Sequence, residues 1–258
     1  MPKIISLMAK MKILHPYPAV LLEAEQRYLA ISDLHIGFES ALSGRGINID
    51  ADKYVDEMLS ELSQLIKKEE PDILVLLGDI KSSVHTITKT EWRNIPEFLS
   101  RLSKMCKVFL IPGNHDGSIR HLVPSEVRMM SGKGMVLDDT LLIHGHTMPS
   151  MTSSSVKRII MGHMHPIFVK QGSVLSGQRV WVYLKAKKQQ VFSNHKGTID
   201  IIVLPSFNRY FYYSLQSKTY RKSISPIVNK VMKNVDKAMI VTLDGSIVGN
   251  ESLLRHVI

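Results

Sequence analysis

The sequence contains one cysteine, Cys106, in 258 residues. No disulfide can close within the chain, and a thiolate-built metal centre is as good as excluded. Cys106 fits better as a small buried apolar residue beside a strand at Lys107–Ile111. A reducing, cytoplasmic compartment is therefore expected. No apolar run approaches the ~20 residues a membrane helix needs, so no membrane partner is expected. The short apolar stretch Ile4–Ala9 has lysines on both sides and no cleavage pattern, so it does not read as a signal peptide; Met8 or Met11 would serve equally as a start. Internal repeats, low-complexity tracts and Pro/Gly-rich linkers are also missing, which favours one domain over residues 1–258.

Acid is scarce in the second half. Residues 157–258 hold 16 Lys/Arg against 4 Asp/Glu, a net +12, whereas residues 1–156 hold 17 against 19, a net −2; together they make the +10 of the chain. The basic half asks for a polyanionic partner, with a solvated basic surface as the plainer alternative.

Short apolar runs predict strands at Tyr28–Ile31, Ile73–Leu77, Val108–Ile111, Leu141–Ile143, Arg158–Met161, Val180–Leu184 and Ile199–Leu204. Between the first two, Val55, Met58, Leu59, Leu62, Leu65 and Ile66 recur at helical spacing, with Asp50 as N-cap and Pro71 beyond the end. A second helix is expected over Trp92–Ser103. Asp244-Gly245 reads as a hairpin turn. The alternation of strand and helix, followed by closely spaced strands, predicts an α/β fold of two packed mixed sheets flanked by helices.

Polar residues sit at the ends of five of these strands. Asp33-Leu34-His35 follows the first, Gly78-Asp79 the second, Gly113-Asn114-His115-Asp116 the third, His144-Gly145-His146 the fourth and Gly162-His163-Met164-His165 the fifth. Ligands bind at the carboxyl ends of strands in open α/β sheets. Six of the 11 histidines fall in these motifs, so the donor set is imidazole, carboxylate and amide with no sulfur. Such a set suits manganese, iron, zinc or a mixture. In extended backbone the Asp33/His35 and His163/His165 pairs would each point one way, and glycines at 78, 113, 145 and 162 would allow close backbone approach. Alone, Asp-x-His or Gly-Asp is a weak signal. Five in this order, each after an apolar run, are not accidental.

This series resembles the calcineurin-like metallophosphoesterase superfamily, whose motifs run Asp-x-His, Gly-Asp, Gly-Asn-His-Asp/Glu, His and Gly-His-x-His. The likeness covers about residues 25–205 and leaves 206–258 as a basic extension. Around the motifs, Ile31–Gly37, Leu77–Lys81 and Leu204–Asn208 are similar to archaeal SbcD-related and bacterial DNA-ligase-associated phosphoesterases. The resemblance implies a four-layer α/β/β/α sandwich and two divalent metal ions, manganese first, with iron, zinc or nickel as alternatives. Asp33, His35 and His165 would hold one ion, Asn114, His144 and His163 the other, and Asp79 would bridge them. A hydroxide held between the metals would attack phosphorus. His115, oriented by Asp116, would act as general acid, with His146 close to the site but not assigned to bind.

Gly78-Asp79 is followed by Ile-Lys-Ser-Ser rather than the Asp-Arg of Ser/Thr protein phosphatases, which argues against that activity. The expected substrate is a phosphodiester in DNA or RNA; a small nucleotide, or a scaffold without catalysis, are the alternatives. The 93 residues after His165 are too few for a full DNA-binding cap. A reduced one would fall at Asn208–Ser225, where Arg209, Lys218, Arg221 and Lys222 mix with Tyr210, Phe211, Tyr212, Tyr213 and Tyr220. A tyrosine-rich strand with a solvated turn is the plainer reading. A homodimer is the oligomer the resemblance allows.

Overall fold

A computed structural model describes residues 9–43, 46–47, 49–150, 155–211 and 225–257. It contains two mixed β-sheets packed face to face, with helices on both outer faces.

The first sheet has the order β1 (Lys10–Ile13), β2 (Val20–Glu23), β3 (Arg27–Ile31), β4 (Ile73–Leu76), β5 (Lys107–Leu110) and β6 (Val127–Met129). Strands β1 to β3 form an antiparallel meander; β3 to β6 are parallel. A short helix, α1 (Glu39–Ser43), and α2 (Ala51–Glu69) lie between β3 and β4, and α3 (Lys89–Ser103) lies between β4 and β5. Helix α2 begins where the Asp50 carboxylate accepts from Asp52 N and Lys53 N, and it ends at Glu70, which turns into the left-handed region at φ 43°. Its apolar stripe buries Leu62 completely. Helix α3 starts three residues earlier than its apolar pattern predicts. Thr88 and Glu91 close a capping box there, a polar signal that apolar periodicity does not carry.

The second sheet runs β14 (Ile247–Asn250), β13 (Val235–Thr242), β11 (Gln178–Lys187), β12 (Thr198–Val203), β9 (Arg158–Met161), β8 (Thr140–Ile143) and β7 (Met135–Leu137). Strand β10 (Ile167–Phe168) pairs with β11. Here β8, β9 and β12 are parallel. Helix α4 (Pro226–Met232) packs Ile227, Val228 and Val231 on the outer face. Residues after 225 thus complete this sheet and its cover rather than forming a separate cap. The predicted strands all appear; the β1–β2 meander and the short β6, β7 and β10 were not foreseen.

Side chains divide between layers with the two-residue period of strands. Leu29, Ile31, Leu74 and Leu76 face α2 and α3, while Ala30, Ile73, Val75 and Leu77 face the second sheet. Trp181, Leu142, Ile160 and Ile202 meet them from the other side. Among the described residues, no helix is long and apolar enough to cross a membrane.

Leu62→Ala should cost about 2–5 kcal/mol. Trp92→Ala, where the side chain is 54% exposed, should stay within about 0.5 kcal/mol. Urea unfolding of both variants checks the assignment of the α2 face to the core.

Candidate metal centre

The parallel strands β3, β4 and β5 of one sheet and β8 and β9 of the other bring their carboxyl ends to one edge of the sandwich. All five motifs follow those ends. Main-chain bonds tie the loops together: Asp33 N donates to Gly78 O at 3.1 Å and His35 N to Asp79 O at 2.9 Å. The two sheets are joined at the site itself, because His163 N donates to the Asp33 carboxylate at 3.1 Å.

The paired motifs are not extended, contrary to the sequence expectation. Asp33, His35, Asp79, His163 and His165 have φ of 62°, 44°, 53°, 70° and 45°, all left-handed. Non-glycine residues pay strain of about 1–3 kcal/mol each for unusual backbone geometry of this kind, and it persists only where surrounding contacts over-determine it. Their side chains converge through tight left-handed turns, not through a period of two. Glycines supply the remaining room. A Cβ on Gly113 would collide with the Asp79 carboxylate, and one on Gly162 with Ser32 and Asp33.

Two donor groups result. Asp33, His35, Asp79 and His165 have ligand atoms within 4.8 Å of one another, as do Asp79, His144 and His163. In the first, His35 Nε2 lies 3.0 Å from His165 Nε2, and His165 Nε2 lies 3.2 Å from Asp33 Oδ1. In the second, His144 Nε2 lies 3.3 Å from Asp79 Oδ1 and 3.2 Å from Asn114 Oδ1. Asp79 is common to both. His144 Nδ1–H donates to Leu77 O at 2.7 Å, which aims its Nε2 at the group.

The residues fit a pair of cations. Donors about 2.0–2.2 Å from a shared ion stand roughly 3.0–3.5 Å apart, which matches these spacings. Asp79 Oδ2 is buried and accepts no hydrogen bond among the described residues. Asp33 and Asp79 are both fully buried, an arrangement that requires compensating positive charge. Burial opposes their ionisation, but the surrounding imidazoles, His165 at Asp33 and His144 at Asp79, hold both below the ordinary carboxylate range. Burial likewise opposes charge on His144, yet Asp79 and Asp33 outweigh it and lift its pKa to about 9. Burial and then His165 push His35 well down; burial and then His144 take His163 down to about 3. Neutral imidazoles beside ionised carboxylates are the protonation state a metal needs, and ion binding would displace the His144 proton. The family and this buried cluster together suggest a dinuclear metal site; the donors, all N and O, do not distinguish among the candidate metals.

His115 lies at the rim with 24% of its side chain exposed, its Nε2 3.9 Å from Asp79 Oδ2. Asp116 does not orient it. The Asp116 carboxylate is occupied by four main-chain amides, of Asp79 (2.8 Å), Ile80 (2.9 Å), Lys81 (3.3 Å) and Gly113 (2.8 Å). It locks the second motif to the third. Burial and then Asp79 raise its pKa to about 6. His115 Nδ1–H donates instead to Ser82 O. His146 is half-buried beside His144, ring centroids 5.3 Å apart, and does not fall in either donor group.

Other residues of the site gave no sequence signal of their role. Ser206 Oγ donates to Asp33 O at 2.7 Å, and the fully buried Asn208 donates to Leu34 O at 2.8 Å, so this loop clamps the first motif. Phe211 stacks on His35, centroids 3.8 Å apart and 3° from parallel. Arg209 pairs with Glu61, and Tyr210 OH donates to Glu57 at 2.6 Å. The described start of the basic, aromatic segment is thus committed to the protein's own packing. Tyr212, Tyr213, Lys218, Tyr220, Arg221 and Lys222 lie outside the described residues. His15 bonds through Nδ1 to Leu243 O at 2.7 Å, and His85 is exposed.

A two-sheet sandwich with a sulfur-free, carboxylate-sharing double site at its strand ends defines the class of metal-dependent phosphoesterases. The family model for calcineurin-like phosphoesterases matches residues 26–211, and the chain belongs to that family. It is 25% identical over 144 residues to a probable cyclic nucleotide phosphodiesterase of Coxiella burnetii. That match covers 55% of this chain, and the chain spans about half the length of that relative, 48%. In fold it resembles the nuclease MPE of Pseudomonas putida, with a TM-score of 0.52 at 18% identity over 91% of this chain and 98% of that one.

Gly113→Ala should displace Asp79 and impair both donor groups while leaving the core intact. Divalent cation should raise the melting temperature of the wild-type protein as mass action requires. The variant should keep its far-ultraviolet circular dichroism and lose most of that shift; an unchanged shift would count against the site.

Proposed function

We propose that the chain is a dinuclear-metal phosphodiesterase acting on nucleic acid. The observation that carries the reading is the Asp79 carboxylate shared by two donor groups beside the partly exposed His115. Asp33, His35 and His165 would hold one ion and Asn114, His144 and His163 the other, with Asp79 serving both. When bound, two divalent cations, read here as manganese, would lower the pKa of a shared water and neutralise charge on the phosphoryl oxygens. The protein's own part is positioning and proton transfer. With Nδ1–H held by Ser82 O, His115 presents Nε2 to the site, from which a proton passes to the leaving oxygen. Asp116 fixes the spacing of the second and third motifs rather than the His115 ring.

Nucleic acid is favoured by the net +12 of residues 157–258. The text around the motifs supports the narrower kinship with SbcD-related and ligase-associated enzymes, and we read the chain as one cytoplasmic domain that forms a homodimer. A second reading, hydrolysis of small nucleotides, is favoured by the likeness to a probable cyclic nucleotide phosphodiesterase. Salt separates the two, since only a substrate contacted at several phosphates loses affinity steeply as salt rises. A catalytically silent scaffold would lack a ligand or His115, and this chain keeps them all.

The test is hydrolysis of labelled single- and double-stranded DNA, bis-p-nitrophenyl phosphate and a cyclic nucleotide, with Mn²⁺ or EDTA. DNA cleavage should require Mn²⁺ and vanish in Asp79→Ala. In His115→Ala it should fall ~10²–10⁴-fold. Cleavage of the small diesters alone would overturn the nucleic-acid assignment, and no cleavage with any metal would favour the scaffold.

A further inference from the structure

Nothing in the motif pattern accounts for what holds His115, because its ring partner is a main-chain carbonyl, Ser82 O, in the loop after Gly78-Asp79. A carbonyl orients an imidazole only if its own peptide is fixed. Residues 82–88 have no regular secondary structure, and Val84 and His85 are exposed. Two buried charges brace that loop from inside. Glu91, fully buried on the first turn of α3, accepts from Ser82 N at 3.0 Å and Ser83 N at 2.8 Å through Oε1 and from Thr88 N at 2.7 Å through Oε2. Ser83 Oγ also donates to it. Lys81, fully buried too, donates from Nζ to Ser83 O and, at 3.1 Å, to Thr86 O. The carboxylate thus takes the amides of the loop and the ammonium takes its carbonyls. Charge-assisted bonds of this kind are roughly twice as strong as neutral ones.

Space is set aside for this brace. Gly37, at φ 97°, faces Glu91, and a Cβ there would lie 2.8 Å from Glu91 Cγ. Ser82 N also donates to Ile36 O at 2.9 Å, which ties the braced loop to the first motif. Asp116, the one acidic neighbour in the motif, has its oxygens filled by amides and cannot take over.

We propose that Glu91 and Lys81 are positioning residues of the reaction: they fix the Ser82 carbonyl, and through it the tautomer and aim of His115. This rests on the reading of His115 as proton donor to the leaving oxygen. The ring then keeps Nδ1–H on a neutral acceptor while its Nε2–H faces the leaving oxygen, and giving up the Nε2 proton leaves the neutral Nδ1–H tautomer. Loosening the brace should weaken leaving-group protonation before it weakens binding.

The test compares kcat for two diesters in the Mn²⁺-loaded, full-length protein. Bis-p-nitrophenyl phosphate releases an acidic phenol that needs little protonation; a thymidine dinucleotide releases an alkoxide that needs a proton. His115→Ala should lose ~100-fold or more on the dinucleotide and only a few-fold on the aryl ester. Glu91→Ala and Lys81→Met should show the same asymmetry at ~10-fold, with KM near the wild-type value. Glu91→Gln, which keeps an oxygen for the Ser82 and Ser83 amides, should recover part of it. Thr88→Val removes the other half of the α3 cap and should keep the wild-type ratio of the two rates. If Glu91→Ala fails to fold, Lys81→Met carries the comparison. Equal loss on both diesters, or an unchanged ratio, in Glu91→Ala or Lys81→Met overturns the proposal while His115→Ala remains asymmetric. A symmetric His115→Ala overturns the proton-donor reading and this proposal together.

Discussion

Two carboxylates, Asp33 and Asp79, sit fully buried where the edges of two sheets meet. Buried charge of one sign is among the costliest things a fold can contain unless it is paired. The surrounding architecture answers that constraint. His163 N and His115 N donate to the two carboxylates, the imidazoles of His35, His144 and His165 converge on them, and left-handed turns at five site residues aim these groups inward. The strain of those turns is held by the Ser206–Asn208 clamp, by Asp116 on four amides and by Phe211 against His35. A pair of cations held there would add further positive charge beside the two carboxylates.

The sandwich follows from ordinary patterning. Period-two apolar strands split their side chains between an inter-sheet core and an outer core under amphipathic helices, and parallel order puts the motif-bearing ends on one edge. That much was legible in the chain, because the Val55 to Ile66 stripe and the apolar runs carry it directly. The convergence of the motifs was legible too, since the structure brings Asp33, His35, Asp79, His144, His163 and His165 together at consecutive strand ends. The backbone geometry was not. The spacing of Asp33 and His35 is compatible with an extended pair, and only the surrounding contacts make the left-handed turns affordable. The partner of His115 was also hidden. Asp116 is its neighbour in sequence, whereas Ser82 O is a main-chain atom 33 residues away, and no side-chain pattern marks a carbonyl. Glu91 closes the capping box of α3, and nothing in that box says that its carboxylate also holds the loop beneath a proton donor.

Charge separates the two halves of the molecule's work. The near-neutral first half supplies most of the carboxylates and the helices that build one wall of the site. The basic second half supplies His163 and His165 and the strands β9 to β14 of the second sheet. Arg209 shows that formal charge is not free charge, because Glu61 already neutralises it.

The central claim is a pair of ions that share Asp79. Anomalous scattering from a crystal of the Mn²⁺-loaded protein measures it most directly. The account predicts two peaks flanking the Asp79 carboxylate, one toward Asp33, His35 and His165 and the other toward Asn114, His144 and His163. One peak, or peaks that leave Asp79 without a metal contact, would contradict it.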